Sequence, residues 1–317
     1  MATLLQAPQV LLVTTQTPNV DPRRTDASSA RIAAVVVTFN RRALLEECLA
    51  ALAAQARPVD HVLVVDNAST DGTPELVRRE YPEVELLALS VNQGGAGGFH
   101  EGMKLAHARG FDWIWLMDDD TIAQEDALAE LLGVLPSLEG LPSPALLSSR
   151  VLWLDGTLHP MNHPGLRRDR VELFVESCER GVLPLRAATF VSLLVHRTAI
   201  DEHGLPHKHY FIWSDDIEYT ARVTRSRGGY VVPRSVVLHK TKAAHSAVTS
   251  ADGRFYFHVR NSLYMMRGST WEPSEKLSLA WFLLVTTRAF LVGSRFQPGS
   301  LRVVARGFRD GLRRPRG

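Results

Sequence analysis

Three consecutive aspartates after a short hydrophobic stretch are well suited to bind a metal ion. Asp118, Asp119 and Asp120 come directly after DWIWLM, which begins at Asp112. Alternate side chains of an extended segment point to the same side, so Asp118 and Asp120 could bind one hard cation while Asp119 faces elsewhere. A solvated acidic loop is the alternative, but ligands of α/β folds bind at the ends of strands. We therefore predict a divalent cation that bridges a diphosphate.

A second pair of carboxylates, Asp215 and Asp216, begins a predicted helix in the segment WSDDIEY. The helix dipole stabilises anions there, so one carboxylate could accept the proton of an attacking hydroxyl; a role in capping alone is the alternative. His239 ends the predicted strand VVPRSVVLH and could supply a third metal ligand through its neutral imidazole, unless it is structural. These residues predict a metal ion beside a general base.

Two turn-forming segments could hold a nucleotide. VVDNASTDG places Asp66 at the end of a predicted strand, where it could accept hydrogen bonds from a base or ribose; a plain turn is the alternative. The glycine-rich NQGGAGGF, from Asn92 to Phe99, follows the third predicted strand and lacks the GxGxxG spacing, so it does not favour a nicotinamide cofactor. Its glycines would let the backbone approach a sugar and its pyrophosphate closely, or else serve tight helix packing.

Strands that alternate with helices must position these groups. IAAVVVTF, HVLVVD, VELLALS and DWIWLM read as strands, and segments with helical periodicity separate them. This alternation predicts an α/β fold: a doubly wound, mostly parallel sheet with helices on both faces and ligands at the carboxyl ends of the strands. We assign residues 31–270 to this domain, with a nucleotide-binding half at 31–135 and an acceptor-binding half at 136–270.

The composition excludes several classes of protein. Of the 317 residues, 45% are hydrophobic and 22% are charged, which fits one α/β domain with a smaller addition. A net charge of +2 is too small to indicate a nucleic-acid partner. Cys48 and Cys178 form no CxxC pair, so neither a disulfide framework nor a zinc–cysteine site is expected. A reducing, cytoplasmic compartment fits this composition.

The two ends of the chain differ from the centre. Residues 1–30 are rich in Pro, Ser, Asp and Thr and predict a flexible extension without a secretion signal. Residues 271–317 predict an amphipathic helical tail, whose basic residues among Trp and Phe suit an anionic membrane surface. Its arginines are Arg288, Arg295, Arg302, Arg306, Arg309, Arg313, Arg314 and Arg316. Arg288 interrupts the apolar run LSLAWFLLVTT before the ~20 residues of a spanning helix, so we expect no transmembrane helix.

Six segments in order resemble glycosyltransferase family 2: VVVTFNR, VVDNAST, NQGGAGGF, MDDDT, WSDDIEY and VVLH. Within it they resemble the galactofuranosyltransferases of actinobacterial cell-wall galactan synthesis, especially those that initiate it. The match covers about residues 31–290, and the ordered set is far more specific than an aspartate triplet alone. The resemblance implies a GT-A fold and an inverting, metal-dependent transfer from UDP-galactofuranose to a rhamnosyl-N-acetylglucosaminyl-diphospho-polyprenyl lipid.

The resemblance also implies roles for single residues on the donor side. Those that would bind the nucleotide sugar are Thr38, Phe39, Asp66, Asn92, Gly94, Gly95, Asp118 and Asp119. Of these, Thr38, Phe39 and Asp66 would hold the uracil and the ribose. Those that would hold a manganese or magnesium ion are Asp118, Asp120 and His239.

On the acceptor side the resemblance implies that Asp216 is the catalytic base and that Trp213 and Asp215 contact the acceptor. Two alternatives stay open: a rhamnosyltransferase that uses dTDP-rhamnose on a polyprenyl-linked acceptor, and a non-catalytic GT-A module that binds glycolipid. A nucleotide-sugar oxidoreductase would require a phosphate loop after the first strand, where TFNRR stands instead. We expect a peripheral protein on the inner face of the cell membrane, and an oligomer remains possible.

Overall fold

The computed structural model describes residues 30–242, 253–313 and 315. The predicted extension at residues 1–30 lies outside the described residues except for Ala30, and so do Arg314 and Arg316 of the tail. The fold is therefore described from the first strand of the predicted domain to the end of the last helix.

Ten strands of the described chain form one sheet. They are β1 (Ile32–Thr38), β2 (His61–Asp66), β3 (Glu85–Ala88), β4 (Trp113–Asp118), β5 (Thr121–Ala123), β6 (Pro144–Leu152), β7 (Gly165–Leu166), β8 (Leu183–Ala187), β9 (Leu193–His196) and β10 (Gly228–His239). Their order is β3-β2-β1-β4-β9-β6-β10-β8-β7, with β5 paired to β10. Only β5, β8 and β9 run against the other seven, so the sheet is mostly parallel, as predicted.

Helices cover both faces of this sheet. Within the described residues they are α1 (Arg42–Ala53), α2 (Thr73–Glu80), α3 (Gly94–Ala108), α4 (Ala127–Gly133), α5 (Val171–Glu179), α6 (Arg197–His203), α7 (Asp215–Val223), α8 (Phe255–Arg267), α9 (Pro273–Gly293) and α10 (Pro298–Gly311). Strand β1 is buried along its whole length because alternate side chains enter two cores. One core includes residues of α1, α2 and α4, and the other residues of α3, α6 and α7.

The glycines of α3 bring this helix close to the sheet. A Cβ atom added at Gly98 or Gly102 would lie 2.5 Å from the side chain of Val37 or Val35, respectively. Close packing of the helix on the sheet therefore explains both glycines. For Gly98, which lies in NQGGAGGF, this was the alternative to a ligand-binding role.

The described part of the C-terminal tail contains two different helices. Helix α10 is amphipathic and packs on α8 through Gly307 and Gly311, where any side chain would meet Val259 or Leu263. Helix α9 carries apolar residues on all sides. Several of them are exposed: Leu277, Trp281, Phe282, Leu284, Val285 and Val292.

The expectation that this apolar run is too short was wrong, because the helix continues through Arg288 to 21 residues. By length and composition alone, α9 is the one helix of the described chain that could cross a membrane, and 11% of its most apolar stretch is buried.

Candidate active site

The carboxyl ends of four strands meet at one edge of the sheet. Thr38 at the end of β1 pairs with Asp66 at the end of β2, and Asp118 ends the neighbouring β4. His239 at the end of β10 pairs with Thr121, which follows the aspartate triplet. Residues far apart in the sequence therefore share one site because their strands end at the same edge.

The three predicted metal ligands lie together. One ligand atom each from Asp118, Asp120 and His239 lies within 4.8 Å of the other two. His239 Nε2 is 3.1 Å from Asp120 Oδ1, and both side chains are buried. Asp119 has other contacts: its Oδ2 accepts a hydrogen bond from the Thr38 hydroxyl at 2.7 Å. Only Asp118 belongs to the strand, and Asp119 and Asp120 form a turn after it, so a turn and not the expected extended alternation directs Asp119 away from the other two.

The hydrogen bonds of His239 indicate which ring nitrogen is free. Its Nδ1 lies 2.8 Å from Oδ1 of buried Asn162, whose amide nitrogen donates to the Thr189 hydroxyl. An amide oxygen only accepts, so Nδ1 carries a proton, and in the neutral form of the ring Nε2 presents a lone pair. This lone pair faces Asp120 Oδ1, a buried oxygen without a hydrogen-bond partner in the described chain. Two acceptors that face each other fit a cation between them, and oxygen with imidazole suits Mn²⁺ or Mg²⁺.

Negative charge is in excess at this site. Burial raises the pKa of Asp118 to about 7, an effect that Asp120 increases and that His239 and Arg41 oppose. Burial likewise raises the pKa of Asp119 to about 6. Burial alone would raise the pKa of Asp120 too, but a hydrogen bond from the protonated form of the His239 ring and the charge of Arg41 outweigh it and lower that pKa; a metal at Nε2 would take the place of this proton. A bound cation would stabilise the ionised form of all three carboxylates.

Arg41 is a site residue that sequence reasoning missed. Its Nη1 lies 3.2 Å from Asp119 Oδ1 and 2.5 Å from Asp120 Oδ2, while half of its side chain remains exposed. The available signal was the arginine pair in TFNRR directly after the first strand. Asn162 was also missed, and it belongs to no motif. It lies 77 residues before His239, so only the fold reveals their contact.

The nucleotide side of the site contains an unpaired buried oxygen. Asp66 Oδ2 accepts a hydrogen bond from the backbone amide of Ser69 at 3.0 Å. Its Oδ1 is buried without a partner among the described residues, so it is free to accept from a ligand hydroxyl or base. Phe39 is 42% exposed at the strand end beside it. The positions of both residues fit a nucleotide pocket.

Two of the predicted glycines differ in what the fold requires of them. Gly94 has φ +72°, and a side chain there would overlap the carbonyl of Phe211. Gly95 has open space around its Cβ position. Asn92 accepts a hydrogen bond from the Gly94 amide through its side-chain oxygen, which fixes the first turn of α3. Gly94 and Asn92 thus shape the start of this helix.

The carboxylates of Asp215 and Asp216 lie at the start of α7. Burial, followed by the charge of Asp216, holds the pKa of Asp215 well above its usual range, and Asp118 adds to this effect across the site. Burial raises the pKa of Asp216 to about 6, although the Ile217 amide, which donates to its Oδ1 at 2.8 Å, opposes the shift. The shift favours the protonated form of Asp215, whereas a pKa of about 6 leaves Asp216 mostly ionised at neutral pH, as a general base requires. Trp213 precedes this pair and is half-buried.

Comparisons with known proteins indicate the family of the chain. The sequence profile described as Glycosyl transferase family 2 matches residues 33–139. Galactofuranosyltransferase GlfT1 of Mycolicibacterium smegmatis is 32% identical over 278 residues, which are 81% of this chain and 91% of the relative. The N-acetylglucosaminyl-diphospho-decaprenol L-rhamnosyltransferase of Mycobacterium tuberculosis is 25% identical over 288 residues, 79% of this chain and 92% of the relative.

A solved structure shows the same fold. Mannosyltransferase PcManGT from Pyrobaculum calidifontis, in complex with GDP-Man and Mn²⁺, has a TM-score of 0.52 and 19% identity over 92% of this chain and 83% of that chain. At this identity the likeness concerns the fold alone, which is the predicted GT-A type.

Proposed function

Because this chain belongs to glycosyltransferase family 2, we propose that it transfers galactofuranose from UDP-galactofuranose to a rhamnosyl-N-acetylglucosaminyl-diphospho-polyprenyl acceptor. The proposal rests on 32% identity over 91% of a galactofuranosyltransferase. A glycosyltransferase needs a site for a nucleotide sugar, and the unpaired oxygen of Asp66 beside the aspartate triplet supports one. The product would begin a cell-wall galactan.

A divalent cation, Mn²⁺ or Mg²⁺, held by Asp118, Asp120 and His239 would neutralise the departing diphosphate. The protein fixes these ligands in advance. Asn162 holds the His239 ring by its Nδ1 proton, and the strand ends hold the two aspartates. Such preorganisation favours the charge that develops as the sugar leaves.

Asp216 is the proposed base of a single displacement. The acceptor hydroxyl oxygen forms a bond to the anomeric carbon from the side opposite the diphosphate. The bond from that carbon to the diphosphate oxygen breaks, which inverts the configuration, and the hydroxyl proton passes to Asp216. Burial of the first turn of α7 supports this role, because it raises the pKa of Asp216 to about 6, which is close to neutral pH. No covalent intermediate with the protein is needed.

The C-terminal helices support a lipid-linked acceptor. Trp281 and Phe282 of α9 are 66% and 57% exposed, and burial of such side chains in a bilayer surface is favourable. Arginines of the adjoining α10, among them Arg302 and Arg306, would meet the anionic cytoplasmic leaflet. We place the protein on the inner face of the cell membrane, where a polyprenyl acceptor is available.

A rhamnosyltransferase is the second candidate, favoured by the 25% identity to a relative of that name over 92% of its length. The two reactions give products of different mass, because galactofuranose adds a hexose and rhamnose a deoxyhexose. Purified full-length protein would be incubated with Mn²⁺ and either UDP-galactofuranose or dTDP-rhamnose, each with synthetic prenyl-diphosphate acceptors that carry rhamnosyl-N-acetylglucosamine or N-acetylglucosamine alone. The products would be weighed by mass spectrometry.

We expect hexose addition with UDP-galactofuranose only, and none from the Asp216→Asn variant, which should still bind UDP. Deoxyhexose addition would transfer the assignment to the second candidate. Binding of acceptor with no turnover of either donor would instead indicate a non-catalytic glycolipid-binding module.

A further inference from the structure

The loop of residues 211–214, which leads into the α7 carboxylates, has an unusual backbone. Phe211, Trp213 and Ser214 have φ values of 66°, 64° and 70°. Residues with a Cβ atom rarely adopt this left-handed region, and they keep it only where their surroundings hold them. The contacts that hold this loop therefore decide where Trp213 and the following carboxylates lie.

One side-chain amide of α8 lies within hydrogen-bond distance of three carbonyls in and next to this loop, which share its two N–H groups. The fully buried amide nitrogen of Asn261 lies 3.1, 2.8 and 2.9 Å from three backbone oxygens, those of Tyr210, Ile212 and Trp213. Its Oδ1 accepts from Arg260 Nε at 3.0 Å, which fixes the orientation of the amide. Carbonyls removed from water require donors, so this amide helps to fix the path of the loop.

The neighbouring carbonyls are also bound from outside the loop. Arg260 donates to the carbonyls of His209 and Tyr210 at 2.9 and 2.7 Å. The carbonyl of Phe211 accepts from the backbone amide of Ala96, in the first turn of α3, at 3.2 Å. Five consecutive carbonyls, from residue 209 to residue 213, thus have donors, and α8 supplies those for four of them.

We propose that Asn261 is a positioning residue that holds the 211–214 loop, and with it Trp213 and Asp216, in place for the acceptor. The role in catalysis rests on the proposed function, whereas the hold on the loop does not. Helix α8 also packs against α9 and α10, the helices with the exposed apolar and basic surface. Helix α8 thereby connects the proposed acceptor side of the site with the face proposed to meet the membrane. The proposed nucleotide side lies elsewhere, at the ends of β1 and β2.

The test compares Asn261→Asp and Asn261→Ala with Ser262→Ala in the full-length protein. Aspartate keeps the size of the side chain but presents oxygens to the carbonyls, which separates hydrogen bonding from packing. Ser262 is 3% exposed at the next position of α8 and serves as the control. Three properties are measured: hydrogen exchange of the backbone amides of residues 209–217, UDP affinity with Mn²⁺ by calorimetry, and kcat and KM for the acceptor.

We expect faster exchange at residues 209–217 in both Asn261 variants and unchanged UDP affinity. Transfer should fall by at least ~10-fold in kcat/KM for the acceptor, because misplacement by about 1 Å can cost 100-fold. Ser262→Ala should match the wild type in every measurement.

Wild-type exchange and transfer in Asn261→Asp would overturn the proposal, and so would a parallel loss of UDP affinity, which would indicate a general role in folding. If that variant does not fold, Asn261→Ser is judged by the same criteria. A wild type that transfers no sugar would contradict the proposed function instead, and hydrogen exchange would still decide whether Asn261 holds the loop.

Discussion

Replacement of Asn162 by alanine should weaken Mn²⁺ binding by about 10- to 100-fold, the usual effect of losing the group behind a metal-bound histidine. The structural reason is its 2.8 Å contact with His239 Nδ1. Without this acceptor the imidazole can place its proton on Nε2, which then cannot bind a metal, and the ring can rotate. The expected loss corresponds to about 1.4–2.7 kcal/mol of binding free energy.

The assay is calorimetric titration of the full-length protein with Mn²⁺ in the presence of UDP. Asn162→Asp should bind Mn²⁺ at least as tightly as the wild type, since a carboxylate accepts the same proton more strongly. Thr189→Val removes only the partner of the Asn162 amide nitrogen and should have a smaller effect. Equal affinity of the wild type and Asn162→Ala would refute the reasoning, as would an aspartate variant as weak as the alanine variant.

Three further predictions use other contacts. Protonation of Asp216 removes the base, so kcat should fall roughly tenfold per pH unit below about 6 in a pH profile, and a flat profile would assign the base elsewhere. Gly94→Ala should lower the free energy of unfolding by more than ~1 kcal/mol in urea, whereas Gly95→Ala, in open space within a helix, should raise it by roughly 0.5–1 kcal/mol. Trp281→Ser combined with Phe282→Ser should reduce co-sedimentation with anionic vesicles, because each buried aromatic contributes about 1.5–3 kcal/mol; unchanged sedimentation would exclude α9 from the contact.

The first half of the sheet could be predicted because its strands are continuous apolar runs. β1 is buried on both faces and reads as IAAVVVT, a pattern that needs no knowledge of its neighbours. The position of β9 could not be predicted in this way. It lies antiparallel between β4 and β6, and this pairing joins Leu193 to Leu116, far apart in the chain. Such registers follow from tertiary packing and not from local periodicity.

Some residues of the candidate site could likewise be predicted from a local sequence pattern, and others could not. The aspartate triplet that begins at Asp118 could be identified from the sequence because it comes at the end of an apolar strand, and ligands of such folds bind at strand ends. Asn162 and Asn261 contact residues that are distant in the sequence, and neither has a local pattern around it. The tail was predicted to be an amphipathic basic helical region, which describes α10 but not α9, whose apolar residues lie on all sides and are mostly exposed.

The contact of Arg41 with Asp119 and Asp120 has a consequence for how the enzyme would bind a metal ion and a nucleotide. The guanidinium is a positive charge that reduces the repulsion between the neighbouring carboxylates when no metal ion is bound. A cation at the proposed site would compete with it, and the exposed half of the arginine side chain could turn toward solvent or toward a diphosphate. Nucleotide and ion should therefore assist each other's entry, since a released guanidinium and a diphosphate attract one another.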